Sequence, residues 1–152
     1  MNSIPSNAKG SITVYNEAGY STQLMYSFHY QGQDYLSWTD PFSLFYSKTI
    51  TFPDGSSNIK LAVWYLPFSG AWTIFYTKVF DNTPIICYKA YGPVWSPQIA
   101  EIPCNSNMLA DSEIILASTN NPIPSNPSSQ CLHPKYKCCK PKRTCCCKGP
   151  YL

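Results

Sequence analysis

The sequence predicts an all-β fold, a two-sheet antiparallel β-sandwich with a disordered C-terminal tail. Three observations carry this. Apolar residues recur at every second position in six separate runs, the spacing that puts one face of a strand on a core and the other toward water. Gly, Pro, Asn and Asp separate those runs at short intervals, the rhythm of a sandwich. Aromatic residues make up 15% of the chain and charged residues only 12%, a balance suited to pleated, half-buried strands.

The runs follow one another along the chain. Ile12 and Val14 alternate with polar neighbours, after a polar leader over residues 1–9. Leu24, Tyr26, Phe28 and Tyr30 alternate with Met25, Ser27 and His29. Leu44, Tyr46, Ile50 and Phe52 form a third run, and Ile59, Leu61, Val63 and Tyr65 a fourth. Trp72, Ile74, Tyr76 and Phe80 form a fifth, and Ile85, Cys87 and Lys89 lie in a sixth. Breaks fall at 16–19, 32–34, Asp40-Pro41, Pro53-Asp54-Gly55, 67–70, 81–84 and Gly92-Pro93. The sandwich is placed at 10–104. Beyond Cys104 the alternation fails. Residues 105–130 read as a linker with one short element at Glu113–Ala117, because Pro122, Pro124 and Pro127 stand among Asn and Ser. No internal repeat is present.

Charge divides the chain. Residues 131–152 hold six basic residues (Lys135, Lys137, Lys140, Lys142, Arg143, Lys148), no acid, and six of the eight cysteines. The remainder carries five Lys against eight Asp or Glu. A basic, thiol-dense appendage on a mildly acidic body points to a surface, such as anionic lipid, a polyanion or a metal. It does not point to an active site.

The cysteines are Cys131, then Cys138-Cys139, then Cys145-Cys146-Cys147. Adjacent cysteines suit a Cys-x2-Cys zinc turn poorly, and binding of a soft ion by Cys138, Cys139, Cys145, Cys146 and Cys147 is the weaker metal reading. Disulfides require export and offer many pairings. S-acylation of the same five cysteines beside a polybasic cluster supplies the two signals that stable membrane attachment needs.

Several function classes have no support. There is no Gly-rich phosphate loop, no HExxH and no pair of carboxylates beside an apolar pocket, so neither an enzyme nor a cofactor is expected. The two histidines are His29 and His133. A Cys–His catalytic pair of His29 with Cys87 or Cys104 is set against the plainer reading, a surface histidine and small buried cysteines. No nucleic-acid partner is expected. Residues 1–9 lack the charged and apolar regions of a secretory signal, and no run approaches a membrane span. The expected location is the cytoplasm or a membrane periphery, with thiols reduced, or outside the cell after non-standard export.

The order of several segments resembles one family. Residues 10–103 are similar to the C-terminal β-sandwich domain of the cholesterol-dependent, or thiol-activated, cytolysins. Asn16-Glu17-Ala18-Gly19-Tyr20 resembles that domain's opening turn, and the stretch from Phe45 to Asn58-Ile59 its strand into an Asn-Ile pair. Ser69-Gly70-Ala71-Trp72 resembles the Gly-Leu-Ala-Trp of the tryptophan-rich undecapeptide. Thr77-Lys78-Val79-Phe80 and Pro84-Ile85-Ile86 resemble the strand that follows it. Gly92-Pro93-Val94-Trp95-Ser96-Pro97-Gln98-Ile99 resembles the closing Gly-Thr-Thr-Leu-Tyr-Pro-Gln-Val.

The resemblance implies a sandwich that stands on membranes with the loops of one end, where a Thr-Leu pair recognises cholesterol. By position that pair falls on Val94 and Trp95, so the hydroxyl is missing and a weaker sterol preference is expected. The undecapeptide falls on Leu66–Tyr76 without its Glu, Cys and Arg. The residues ahead of Lys9 offer no pore-forming segment. The function expected is a non-enzymatic membrane-binding module that contacts lipid, with cholesterol the implied sterol, through loops carrying Phe68, Trp72, Val94 and Trp95. The alternative is a β-sandwich that binds a glycan or protein receptor. A third reading is a metal- or redox-responsive protein driven by its tail.

Overall fold

Period-two alternation becomes strand pairing in the computed structural model, which describes residues 8–105, 112–120 and 122–123. Among the described residues ten strands occur in chain order: β1 Ala8–Asn16, β2 Thr22–Tyr30, β3 Gln33–Trp38, β4 Ser47–Pro53, β5 Ser57–Tyr65, β6 Thr73–Asn82, β7 Ile85–Tyr91, β8 Gln98–Ile102, β9 Ser112–Leu116 and β10 Pro122–Ile123. They form two five-stranded sheets, one ordered β8-β7-β1-β4-β9 and the other β10-β3-β2-β5-β6. Pairing is antiparallel except between β1 and β7 and between β4 and β9. The all-β, two-sheet sandwich is therefore what the sequence folds into.

The core lies between the sheets and is built from the alternating residues. Ile12 and Val14 of β1, Leu24, Tyr26 and Phe28 of β2, Ile50 and Phe52 of β4, and Ile59, Leu61 and Val63 of β5 are all buried together. Full burial of one such side chain stabilises by about 1.5–3 kcal/mol, and in β2 the buried residues alternate with the less buried Met25 and Ser27, so a one-residue slip of that strand would move its whole set off the core. The rings of Tyr26 and Phe28 meet Phe52 edge-on across the core at 6.0 and 5.6 Å.

One flank closes through a cation. Lys78 of edge strand β6 points inward, its Nζ 5.3 Å from the Phe80 ring, 5.7 Å from the Tyr88 ring of β7 and 3.7 Å from Glu101 of β8. An inward charge of this kind discourages another chain from pairing with a free edge. The other flank is covered by β9 and β10, joined by five residues. Lys48 of β4, almost fully buried, is paired with Glu113 of β9.

The sequence reading misses β3, and the reason is visible. β2 turns into it through Gln31 and Gly32, at φ 50° and 77°, a two-residue hairpin turn whose twist matches the strands. In β3 only Tyr35 is buried, while Leu36 and Trp38 face outward, so its apolar residues do not mark the core face. β8 is also missed. It is short, it pairs with β7 alone in its sheet, and its burial does not alternate. The element expected at Glu113–Ala117 is β9. Inside the stretch read as linker, Pro122 and Ile123 pair with Tyr35 and Asp34. The tail cysteines and basic residues at 131–152 lie outside the described residues, as do residues 1–7.

Two cysteines expected as reduced thiols are joined instead: Cys87 and Cys104 form a disulfide. Their pairing with His29 is also overturned. His29 follows Phe28 of the core and so faces outward from its sheet, hydrogen-bonded to Asp34 at 2.8 Å. Cys87 precedes the core residue Tyr88 and faces outward from the other sheet. The packed core separates them.

Candidate functional site

The strand directions gather four loops at one end. β1, β3, β5 and β7 all run toward it, and β2, β4, β6 and β8 start from it. The loops are residues 17–21, 39–46, 66–72 and 92–97. Phe68 and Trp95, far apart in sequence, therefore share one end. They are 90% and 79% exposed.

Each ring stands at the apex of a tight turn. Gly70 N–H donates to Pro67 C=O at 3.0 Å, and Ser96 N–H donates to Pro93 C=O at 2.9 Å. Proline fixes φ on entry to each turn. Gly92, at φ 88°, opens the second loop, and a Cβ there would lie 2.8 Å from the Ser96 carbonyl oxygen, so a larger residue does not fit. The other two residues expected at the site are placed differently, since Trp72 and Val94 are half-buried. Trp72 stands at the base of its loop beside β6, and Val94 shares the tight turn with Trp95 but is only half-exposed.

The structure adds residues that the sequence reading did not select. Phe45 is 66% exposed, and Leu44 and Tyr46 are exposed beside it. Phe45 has φ 69°, a conformation that costs a bulky side chain on the order of 1–3 kcal/mol. Its N–H is held by the Asn16 C=O at 2.7 Å. The available signal was three consecutive apolar residues that break the alternation of the third run.

Asn16 fixes this end. It is fully buried. Its Nδ2 donates to Tyr20 C=O at 2.7 Å and to Phe42 C=O at 3.3 Å, and its Oδ1 accepts from Ala18 N–H at 2.9 Å. Its backbone N–H donates to Tyr46 C=O at 2.9 Å. One side chain thus ties loop 17–21 to loop 39–46.

Tyr20 extends the tie to the other two loops. Its hydroxyl donates to Tyr91 C=O at 3.0 Å, just before Gly92. Its ring lies 5.3 Å from Tyr65 and 6.2 Å from Phe75, which are 5.5 Å from each other and flank loop 66–72. Burial pushes the Tyr20 phenol up to about 12, so the hydroxyl remains a donor at neutral pH. Leu66 N–H donates to Ser21 C=O at 3.0 Å.

The two turns that carry Phe68 and Trp95 are apolar, while loop 39–46 also carries exposed Asp40. Loops 66–72 and 92–97 contain no charged residue, and Glu17 is paired with Lys89 at 2.8 Å. Among the described residues no group of three His, Cys, Asp or Glu gathers as a metal site, and no helix is long and apolar enough to cross a membrane. What the end offers is a set of rings on a braced base.

No protein-family model matches the sequence, and no curated protein matches it. Among solved structures, pneumolysin, described as a sugar-binding protein, aligns with a TM-score of 0.48 and 14% identity over 63% of this chain. Suilysin from Streptococcus suis aligns with a TM-score of 0.47 and 15% identity over 63%. A disulfide-locked mutant of intermedilysin, solved with human CD59, aligns with a TM-score of 0.47 and 16% identity over 63%. The chain spans about a quarter of the length of these proteins, 23–24%.

Proposed function

We propose that this chain is a non-enzymatic membrane-binding module that docks on lipid through its loop end. The observation that carries the reading is the co-location of Phe45, Phe68 and Trp95, all well exposed, on loops braced from beneath by Asn16 and Tyr20. Exposed apolar groups clustered in this way mark contact surfaces. Trp and Phe partition well into the headgroup boundary. Loops 66–72 and 92–97, without charges, avoid the cost of taking a charge out of water. Both turn hydrogen bonds are made within the loops, so shallow insertion strands few backbone groups. Sterol is the lipid that the sequence resemblance implies. Val94, at the position of the family's threonine, has no hydroxyl to offer it.

Flotation with phosphatidylcholine vesicles, with and without cholesterol, tests this. The protein should rise with the vesicles, and the double substitution Phe68→Ser, Trp95→Ser should lower the bound fraction at least tenfold with an unchanged melting temperature. Each ring contributes about 1.5–3 kcal/mol when buried, so a tenfold loss is a conservative expectation. Wild-type protein that stays at the bottom with both compositions would end the lipid reading.

The second reading, a glycan or protein receptor, has one observation in its favour. Trp38 and Trp64 form a pair 5.3 Å apart on the outer face of the β3-β2-β5 sheet, next to exposed Leu36 and Ile74. An aromatic pair on the face of the sheet, its rings tilted 54° to each other, suits a partner docking side-on better than a bilayer end-on.

A further inference from the structure

The two sheets differ on their outer faces. On the sheet β8-β7-β1-β4-β9, Ser11 and Thr13 of β1 alternate with the core and stand beside Thr51 and Thr49 of β4, and the Thr13 and Thr49 hydroxyls are 2.8 Å apart. On the other sheet the outward residues are largely apolar. Leu36, Trp38, Ile74 and Val79 are all exposed, and Trp38 lies 5.3 Å from Trp64. The solvated face of an antiparallel sheet is ordinarily polar, and exposed apolar groups gathered on one face mark a contact surface.

Strand pairing sets these residues at equal heights across the order β3-β2-β5-β6. Trp38, Met25, Ala62 and Thr77 form one row, and Leu36, Ser27, Lys60 and Val79 the next. Further from the loop end stand Asp34, His29, Ser57 and Asn82. A two-fold axis parallel to the strands, between β2 and β5, lays β3 of one copy over β6 of another and β2 over β5, with heights kept. Leu36 then faces Val79, Trp38 faces Thr77, and Lys60 faces Ser27. Asp34, paired with His29 at 2.8 Å, faces Asn82, so no like charges meet. Four strands of about eight residues make a face of about 19 by 27 Å. Two copies cover about 1,000 Å² in this way, the scale that a specific interface needs.

We propose that this face seats a second copy of the chain, the two β3-β2-β5-β6 faces packing on each other about a two-fold axis parallel to the strands. Sheets that pack face to face keep their strands within about 30° of each other, and an isologous contact uses one patch twice. Trp38 and Trp64 lie at this contact. The same axis leaves both loop ends pointing the same way, so that two copies can stand on one bilayer. The inference goes beyond lipid docking and does not depend on it.

Sedimentation equilibrium of the full chain, without lipid and with any free thiols alkylated, tests this. The chain should dimerise as its concentration rises. Val79→Asp and Leu36→Lys, each alone, should weaken the dimer at least tenfold, because each puts an unpaired charge into both symmetry-related contacts. The protein carrying both substitutions should recover to within about threefold of wild type, since the lysine of each copy then meets the aspartate of the other. Within one chain the two positions are three strands apart, about 14 Å, too far to pair internally. Thr77→Asp, facing Trp38, should disrupt the dimer equally and replaces either single variant if that one fails to fold. Melting temperatures show which variants are folded. A chain that stays monomeric at every concentration would overturn the proposal and leave the face to a receptor. A dimer that survives the single substitutions would overturn it by placing the contact elsewhere. Folded single variants that dissociate but are not rescued in combination would overturn the two-fold register, and the proposal with it.

Discussion

Replacing Asn16 with alanine should loosen the loop end without dissolving the sandwich. The substitution removes the Nδ2 donor to the Tyr20 and Phe42 carbonyls and the Oδ1 acceptor for the Ala18 amide. Asn16 is fully buried, so the abandoned Tyr20 carbonyl and Ala18 amide do not simply turn to water, while the Phe42 carbonyl keeps the Thr22 N–H at 2.8 Å. An orphaned buried group costs about 1–3 kcal/mol. With partial relaxation the total for the two is about 2–4 kcal/mol, against a typical domain stability of about 5–15 kcal/mol. The backbone bonds of Asn16 to Phe45 and Tyr46 survive but lose their rigid neighbour. Urea unfolding monitored by tryptophan fluorescence gives the loss of stability, and amide exchange gives its location. The Ala18 and Phe45 amides should exchange much faster, while those of Tyr26 and Leu61 change only by the global loss. A loss below about 1 kcal/mol, or equal acceleration at all four amides, would refute the role assigned to this side chain.

Other outcomes follow from the same geometry. Reduction of Cys87–Cys104, which are separated by 17 residues, should lower stability by about 3 kcal/mol and leave vesicle flotation intact, since Cys87 pairs with Ile102 at the end away from the loops. A loss of flotation on reduction would contradict that placement. Tyr20 and Tyr76 are both pushed from an ordinary value of 10.0 up to about 12, chiefly by burial, so the unfolded chain gives up these protons first. Their contribution to stability is therefore complete below about pH 10 and lost as pH rises through about 12. A urea midpoint that stays constant across that interval would count against it. Val94→Thr should strengthen any preference for cholesterol-containing vesicles by restoring a hydroxyl, on the order of 1 kcal/mol. Strict cholesterol dependence that this substitution leaves unchanged would show that the position does not recognise sterol.

The legible parts of the fold were those where one face of a strand pays an apolar toll. Leu24, Tyr26 and Phe28 announce β2 because each is buried and each neighbour is not. Leu36 and Trp38 hide β3 because they face outward, where their hydrophobicity serves no core. At the loop end, Phe68 and Trp95 stood out as aromatics between Pro and Gly, and strand direction places them together. Phe45 did not, because it sits in an apolar run that reads as the start of β4, while its positive φ and the turn closed by Tyr46 N–H on Ser43 C=O at 3.1 Å separate it from that strand. Asn16 was legible as a turn residue but not as a brace. Its partners Tyr20 and Phe42 are set by how the two sheets meet, and single-sequence spacing does not encode that.

The most direct measurement of the central proposal is tryptophan emission in the presence of vesicles whose lipids carry bromine at known depths. Trp95 is 79% exposed in solution, so insertion should shift its emission to the blue, and bromines near the headgroups should quench it more than bromines deep in the acyl region. Trp95→Phe should remove most of both signals, and replacing Trp72 on loop 66–72 as well should abolish them, while Trp38 and Trp64 remain to report the fold. Emission that neither shifts nor quenches when vesicles are added, or quenching that persists when both Trp72 and Trp95 are replaced by phenylalanine, would contradict docking through the loop end.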